Sequence, residues 1–155
     1  MISTRGRYAL RVLIDLAEYE PGERIPLKDI ADREQISRKY LESIMTMLSK
    51  ADMVDAIHGK GGGFALNRSP EDYSVGELLR LTENNFAPVA CLEAGASPCE
   101  KAGGCKTLPV WTRLNNLING YLDSVTLADL MAEDDNRAGG DLSPLPDSRE
   151  AYSSQ

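Results

Sequence analysis

Two short amphipathic segments, LKDIADRE at residues 27–34 and RKYLESIMTMLSKA at residues 38–51, are separated only by Gln35, Ile36 and Ser37. In the first, Leu27, Ile30 and Ala31 share one helical face; in the second, Tyr40, Leu41, Ile44, Met45 and Leu48 recur at helical spacing. Ser37 is placed to cap the second helix by accepting from its free N–H groups. Two helices joined so tightly make a helix-turn-helix, whose second helix can enter a major groove. The stripe chosen for burial leaves Arg38, Lys39, Glu42, Ser43 and Thr46 facing outward.

The adjoining segment narrows the fold further. In MVDAIHGKGGGFALN, residues 54–57 and 64–66 read as two strands around a loop at 58–63 that holds four glycines and Lys60. Glycines in a hairpin tip permit positive φ and close approach to another backbone. A helix-turn-helix followed by a hairpin is a winged helix, so the expected fold is mostly α with a small β-hairpin wing. Ahead of it, residues 4–19 form an amphipathic helix on Tyr8, Val12, Leu13 and Leu16, broken by Pro21 and Gly22. Behind it, Ser74 and Glu77 supply a capping box for a helix ending near residue 82.

The rear half holds LPVWTRLNNLINGYLDSV, where Leu108, Trp111, Leu114, Ile118, Tyr121, Leu122 and Val125 repeat at helical intervals. That is more apolar surface than a small winged helix can cover, so pairing with the same helix of a second copy is expected. Thr126 caps a last short helix, LADLMAE, and the polar Gly-, Pro- and Ser-rich remainder is expected to be a disordered acidic tail. The chain therefore divides into a winged helix at 1–82, a cysteine-containing loop at 83–107, a dimerisation helix and short helix at 108–133, and a tail at 134–155.

The net charge of −7 does not exclude a nucleic-acid partner, because it is unevenly spread. Residues 1–80 carry 12 Lys/Arg against 13 Asp/Glu, whereas residues 81–155 carry 5 against 11. Phosphate binding depends on local patches. Arg38 and Lys39 suit phosphates or guanine, and Ser37, Tyr40 and Ser43 can offer hydroxyls to the DNA backbone. Glu42 has two readings: an acceptor for a cytosine amino group, or a surface glutamate paired with a nearby cation. In the hairpin, His58, Lys60, Gly61 and Gly62 could follow a narrow minor groove, or form only a glycine-rich turn.

No apolar run reaches the ~18 residues of a membrane helix. The N-terminus lacks the continuous apolar region and cleavage site of a secretory signal, so a cytoplasmic protein is expected. The only three cysteines, Cys91, Cys99 and Cys105, lie in CLEAGASPCEKAGGC. The spacing is wide for a zinc site and no closing histidine accompanies it; thiols spread on a glycine-rich loop suit a cluster around which the loop wraps. Thiol oxidation without a cluster, or another metal, are the alternatives. A thiol enzyme is not expected, since the sole histidine, His58, lies on a different element.

RGRYALRVLIDLA, ISRKYLESIMTMLSKADMV, GKGGGFAL and YLDSVTLADL together resemble the Rrf2 family of bacterial transcriptional regulators, over residues 1 to about 133. The resemblance implies a homodimer on a partly palindromic double-stranded DNA operator, with wings in the flanking minor groove and Glu42 discriminating sequence. It also implies an iron–sulfur cluster, expected as 2Fe–2S, on Cys91, Cys99 and Cys105. One branch of the family places a histidine three residues after its last cysteine, where this chain has Leu108. Another takes an acidic residue from the partner's first helix, near Arg7 here. The fourth ligand is thus open among Asp15, Glu93, Glu100, a small thiol or water. A further branch works through a protein partner in cysteine metabolism and needs no thiols.

Overall fold

The computed structural model describes residues 2–57, 59–83 and 86–138 of the chain, with the backbone alone for 133–138. Helices α1 (Thr4–Ala17), α2 (Leu27–Glu34) and α3 (Arg38–Lys50) precede strands β1 (Val54–Ile57) and β2 (Gly63–Leu66). Helices α4 (Val75–Thr82), α5 (Leu108–Ser124) and α6 (Leu127–Ala138) follow, with single 3-10 turns at Pro70–Asp72, Ala90–Leu92 and Ala102–Gly104. The order is that of a winged helix-turn-helix with a long helix behind it.

Local chemistry sets the boundaries. Ser3 caps α1 by accepting from the Gly6 N–H at 3.1 Å, and α1 stops at Ala17, two residues before the expected end, with Glu18 at its C-cap. Gln35 closes α2 in the left-handed conformation, φ 54°, which turns the chain sharply enough for Ser37 to start α3. Ser74 caps α4 as expected, accepting from Glu77 N–H at 3.0 Å, but the Glu77 carboxylate pairs with Arg68 instead of reaching back. The complete reciprocal box is at α6: Thr126 Oγ1 accepts from Asp129 N–H, and Asp129 Oδ2 accepts from Thr126 N–H and Oγ1–H. That helix runs to Ala138, past the expected end at 133, because no glycine or proline interrupts the chain before Gly139. The rest of the expected tail, 139–155, lies outside the described residues.

One core unites these elements. Ala9, Val12, Leu13 and Leu16 of α1 pack with Ile30 and Ala31 of α2, Leu41, Ile44, Met45 and Leu48 of α3, and Leu78 of α4. Tyr73 sits fully buried among them. Its hydroxyl donates to Met53 O at 2.8 Å and accepts from the N–H groups of Asn67 and Arg68 at 3.2 and 3.1 Å, so a buried polar atom is fully satisfied. Its backbone carbonyl accepts from Leu127 N–H, and Val75 N–H donates to Val125 O. Residues 73–75 thereby staple the α5–α6 junction to the winged helix, and Leu127 joins the core.

The two strands pair antiparallel in the register Val54↔Leu66 through Ile57↔Gly63. Phe64 also exchanges two backbone hydrogen bonds with Ile25, both 2.9 Å, which adds a third edge to the hairpin. A Cβ at Gly63 would lie 2.7 Å from the Ile25 backbone, so only glycine allows that approach.

Helix α5 departs from the expected pattern. None of its residues is buried. Of the expected stripe, Leu108, Trp111, Ile118, Leu122 and Val125 are half-buried, whereas Leu114 and Tyr121 are 39 and 51% exposed; Val110 and Leu117, outside that stripe, are 59 and 41% exposed. The helix has two apolar faces, and Val110 and Leu117 belong to the outer one.

Candidate nucleic-acid interface and cysteine segment

The outward face of α3 begins where the sequence places it. Ser37, Arg38, Lys39, Glu42 and Ser43 are exposed, and Tyr40 is half-buried. Ser37 Oγ accepts from Tyr40 N–H at 3.4 Å, and Ser43 Oγ–H donates to Tyr40 O at 2.8 Å, so both hydroxyls already serve the helix. The Tyr40 ring meets Tyr8 of α1 edge-on, centroids 6.0 Å apart, and Arg11 stacks on Tyr8 at 5.5 Å. Tyr40 therefore joins α3 to α1 as well as flanking the outer face. No salt bridge holds the Glu42 carboxylate among the described residues, so the ion pair of a plain surface glutamate is not what fixes it.

The hairpin projects beside α3. Gly62 N–H donates to Gly59 O at 3.0 Å, closing a turn in which Gly59 and Gly61 have φ of 99° and 78°. A Cβ at Gly62 would fall 2.1 Å from Ile57 O, so the loop closes this tightly only without one. Lys60 is exposed at the tip, and His58 lies outside the described residues. Between helix and hairpin runs a groove of about 590 Å³, lined by Glu42, Thr46 and Lys50 on one side and Ile57 and Phe64 on the other. Ile57, 45% exposed, is an apolar contact surface not expected from the sequence; its place on the outward side of a two-residue alternation was the available signal.

The cysteine segment runs between α4 and α5. All three thiols are free; Cys91 and Cys99 are exposed and Cys105 is half-buried. Among the described residues, no three His, Cys, Asp or Glu side chains are arranged to hold a metal ion, so the expected ligand set is not ready-made. The segment's Gly, Ala and Ser give it no apolar surface on which to fold by itself. As donors, three thiols on a pliable loop fit an iron–sulfur cluster in chemistry, though not in present geometry. Cys105 sits at the start of α5, its Sγ 3.4 Å from Thr107 Oγ1. That hydroxyl, with the backbone N–H groups of Thr107 and Leu108, holds the thiol below its ordinary pKa.

One expected fourth ligand is removed. Asp15 is buried, and Arg33 grips both its oxygens, so it cannot serve the segment. Glu93 and Glu100 are exposed within the segment.

Residues 2–133 match the family model of Rrf2, described as an iron-dependent transcriptional regulator. This chain belongs to the Rrf2 family. Among relatives, the HTH-type transcriptional regulator IscR of Photobacterium profundum is 32% identical over 132 residues, 85% of this chain and 76% of that protein. IscR of an Escherichia coli O1:K1 strain is 30% identical over 130 residues, 84% and 79% of the two chains. Among solved structures, CymR, the global cysteine regulator of B. subtilis, superposes with a TM-score of 0.71 at 32% identity, covering 86% of this chain and 97% of its own. IscR of T. potens gives a TM-score of 0.68 at 31% identity over 98% and 96%.

As an Rrf2-type protein the chain is a transcriptional regulator, not an enzyme, and its winged helix is the fold of its solved relatives. The likeness extends both to regulators named IscR and to regulators named CymR, so it does not separate cluster sensing from thiol-based control. Among the described residues, no helix is long and apolar enough to cross a membrane.

Proposed function

We propose that this Rrf2 protein is a homodimeric, sequence-specific DNA-binding regulator whose hold on its operator depends on the state of Cys91, Cys99 and Cys105. The observation that carries the DNA reading is the exposed α3 face set beside a projecting glycine hairpin across one groove. Arg38, Lys39 and the Ser37, Tyr40 and Ser43 end of α3 contact phosphates and bases, and Glu42 accepts from a cytosine amino group. Lys60, Gly61, Gly62 and His58 follow the adjacent minor groove. Dimerisation uses the outer α5 row of Val110, Leu114, Leu117 and Tyr121, a continuous apolar strip with no cover in one chain. Such a regulator works in the cytoplasm, where its operator is.

For the thiols, the first reading is an iron–sulfur cluster, expected as 2Fe–2S, held by the three cysteines and one further ligand. When bound it supplies an electron-accepting centre whose loss frees the segment. The second reading, cluster-free thiol oxidation, is favoured by one specific feature: all three thiols are free, with Cys91 and Cys99 exposed and Cys105 Sγ 3.4 Å from Thr107 Oγ1. Control through a protein partner has no such feature behind it.

Two measurements test this. Binding to a palindromic operator duplex must weaken steeply with salt; flat salt dependence rejects the DNA reading. Protein made and purified without oxygen is expected to carry iron and sulfide and to be coloured. Iron-free, colourless protein removes the cluster and leaves thiol control.

A further inference from the structure

We propose that Glu83 is the positioning residue through which the cysteine segment acts on the DNA-reading head; this rests on the thiol-dependent reading above. Glu83 stands at the C-terminal end of α4, where a carboxylate opposes the helix dipole. Its side chain instead serves another helix. Glu83 Oε1 accepts from Ser3 Oγ–H at 2.6 Å and from Ser3 N–H at 3.2 Å, with Thr82 Oγ1 at 3.1 Å. Ser3 is the N-cap of α1, so the carboxylate sits at the dipole end that favours it. Gly6 makes the approach possible: a Cβ there would lie 2.5 Å from Glu83 Oε1.

The same residue borders the cysteine segment. A cavity of about 480 Å³ between α4 and α5 is lined by Glu83 and Arg80, by Phe86 and Leu92 of the segment, and by Asn115 and Asn119 of α5. Leu92 directly follows Cys91. Arg80 pairs with Asp123 and donates to Asn119 Oδ1 at 3.3 Å, so the α5 wall is tied to α4. On the far side α1 carries Tyr8, whose ring meets Tyr40 at the start of α3. Glu83 thus borders a cavity that both the segment and α5 shape, and it also clamps the helix on which the first turn of α3 leans. Rearrangement of residues 91–105 that presses on the cavity displaces the carboxylate, releases Ser3 and lets α1 shift against Tyr40.

The test compares operator affinity of the full chain, prepared without oxygen, before and after oxidation of its thiols with diamide. The parent is expected to change affinity at least about five-fold between the two states. Glu83→Gln, and Ser3→Asp, which keeps an N-cap but sets a carboxylate against Glu83, are expected to shrink that ratio below about two-fold. Their affinity in the tighter state should stay within about two-fold of the parent's. A residue that only stabilised the fold would lower both affinities and leave the ratio unchanged. If the parent responds to diamide and both variants respond equally, the assignment to Glu83 is overturned while thiol control stands. If the parent itself does not respond, thiol control fails and takes the assignment with it.

Discussion

Arg33 holds Asp15 through two parallel hydrogen bonds, Nε to Oδ1 at 2.7 Å and Nη2 to Oδ2 at 2.8 Å. The carboxylate is buried, while Arg33 lies partly open with its guanidinium 5.1 Å over the Tyr19 ring. The pair locks α2 onto α1. Removing Arg33 strands a charge in the core. Arg33→Ala is therefore expected to cost about 2–3 kcal/mol, below the value for a fully buried pair because the Arg33 side chain is 38% exposed. Urea denaturation measures it; a loss below about 0.5 kcal/mol means the pair is only a surface contact.

Tyr73→Phe keeps the ring and removes the oxygen that satisfies Met53 O and the N–H groups of Asn67 and Arg68. We expect a loss of about 2 kcal/mol with an unchanged denaturant slope, since the core packing is retained. A neutral outcome would mean that water reaches these groups.

Glu42 and Lys60 should separate specificity from affinity. Glu42→Ala is expected to relax discrimination at one base pair by about 1–3 kcal/mol while overall affinity falls little. Lys60→Ala should weaken binding on all duplexes alike and reduce the salt slope by about one ion. Competition binding on operator variants at several salt concentrations distinguishes the two; equal effects on every sequence for both would reject the role given to Glu42.

Leu114→Asp with Leu117→Asp puts charges in the middle of the outer α5 row. Sedimentation should then show a folded monomer where the parent is expected to run as a dimer, and affinity for a palindromic duplex should fall about 100-fold. Because neither residue is buried in the chain, helical circular dichroism should be preserved.

The Glu83 carboxyl carries a stability signature in acid. Its partial burial would raise its pKa, but donation from Ser3 and Thr82 outweighs this and holds the group below the ordinary value of about 4.5. A depressed folded-state pKa favours the folded chain above the unfolded value, and that contribution disappears as pH falls through the folded value. The stability gap between parent and Glu83→Gln should thus be constant from about pH 7 to pH 5.5 and close on further acidification. Unfolding midpoints across that range check it; a gap that widens in acid contradicts the sign.

The positions of helices α1 to α5 and of the hairpin were legible in the sequence to within two residues, because capping residues, helical apolar spacing and glycine placement act locally. Ser37 and Ser74 each fix a boundary through atoms only a few residues away. The outward set on α3 was legible for the same reason, since a helix that buries Leu41, Ile44 and Leu48 must expose Arg38, Lys39 and Glu42. Contacts between distant residues carried no comparable signal. Ser3 with Glu83, Asp15 with Arg33, Tyr73 with Met53, and the residue pairing of 73–75 with 125–127 depend on how helices cross, and a periodic pattern says nothing about which neighbour a face will meet. The same blindness explains why Asp15 stood as a possible ligand until Arg33 was found on it, and why α5 divided its apolar residues between two faces. Residue order alone dictates the elements and their exposed chemistry, because those arise from interactions within one turn or one hairpin. Which charges are occupied, which apolar row is left uncovered and what adjoins the cysteine segment emerge only once the chain has packed, because each is a property of two surfaces meeting.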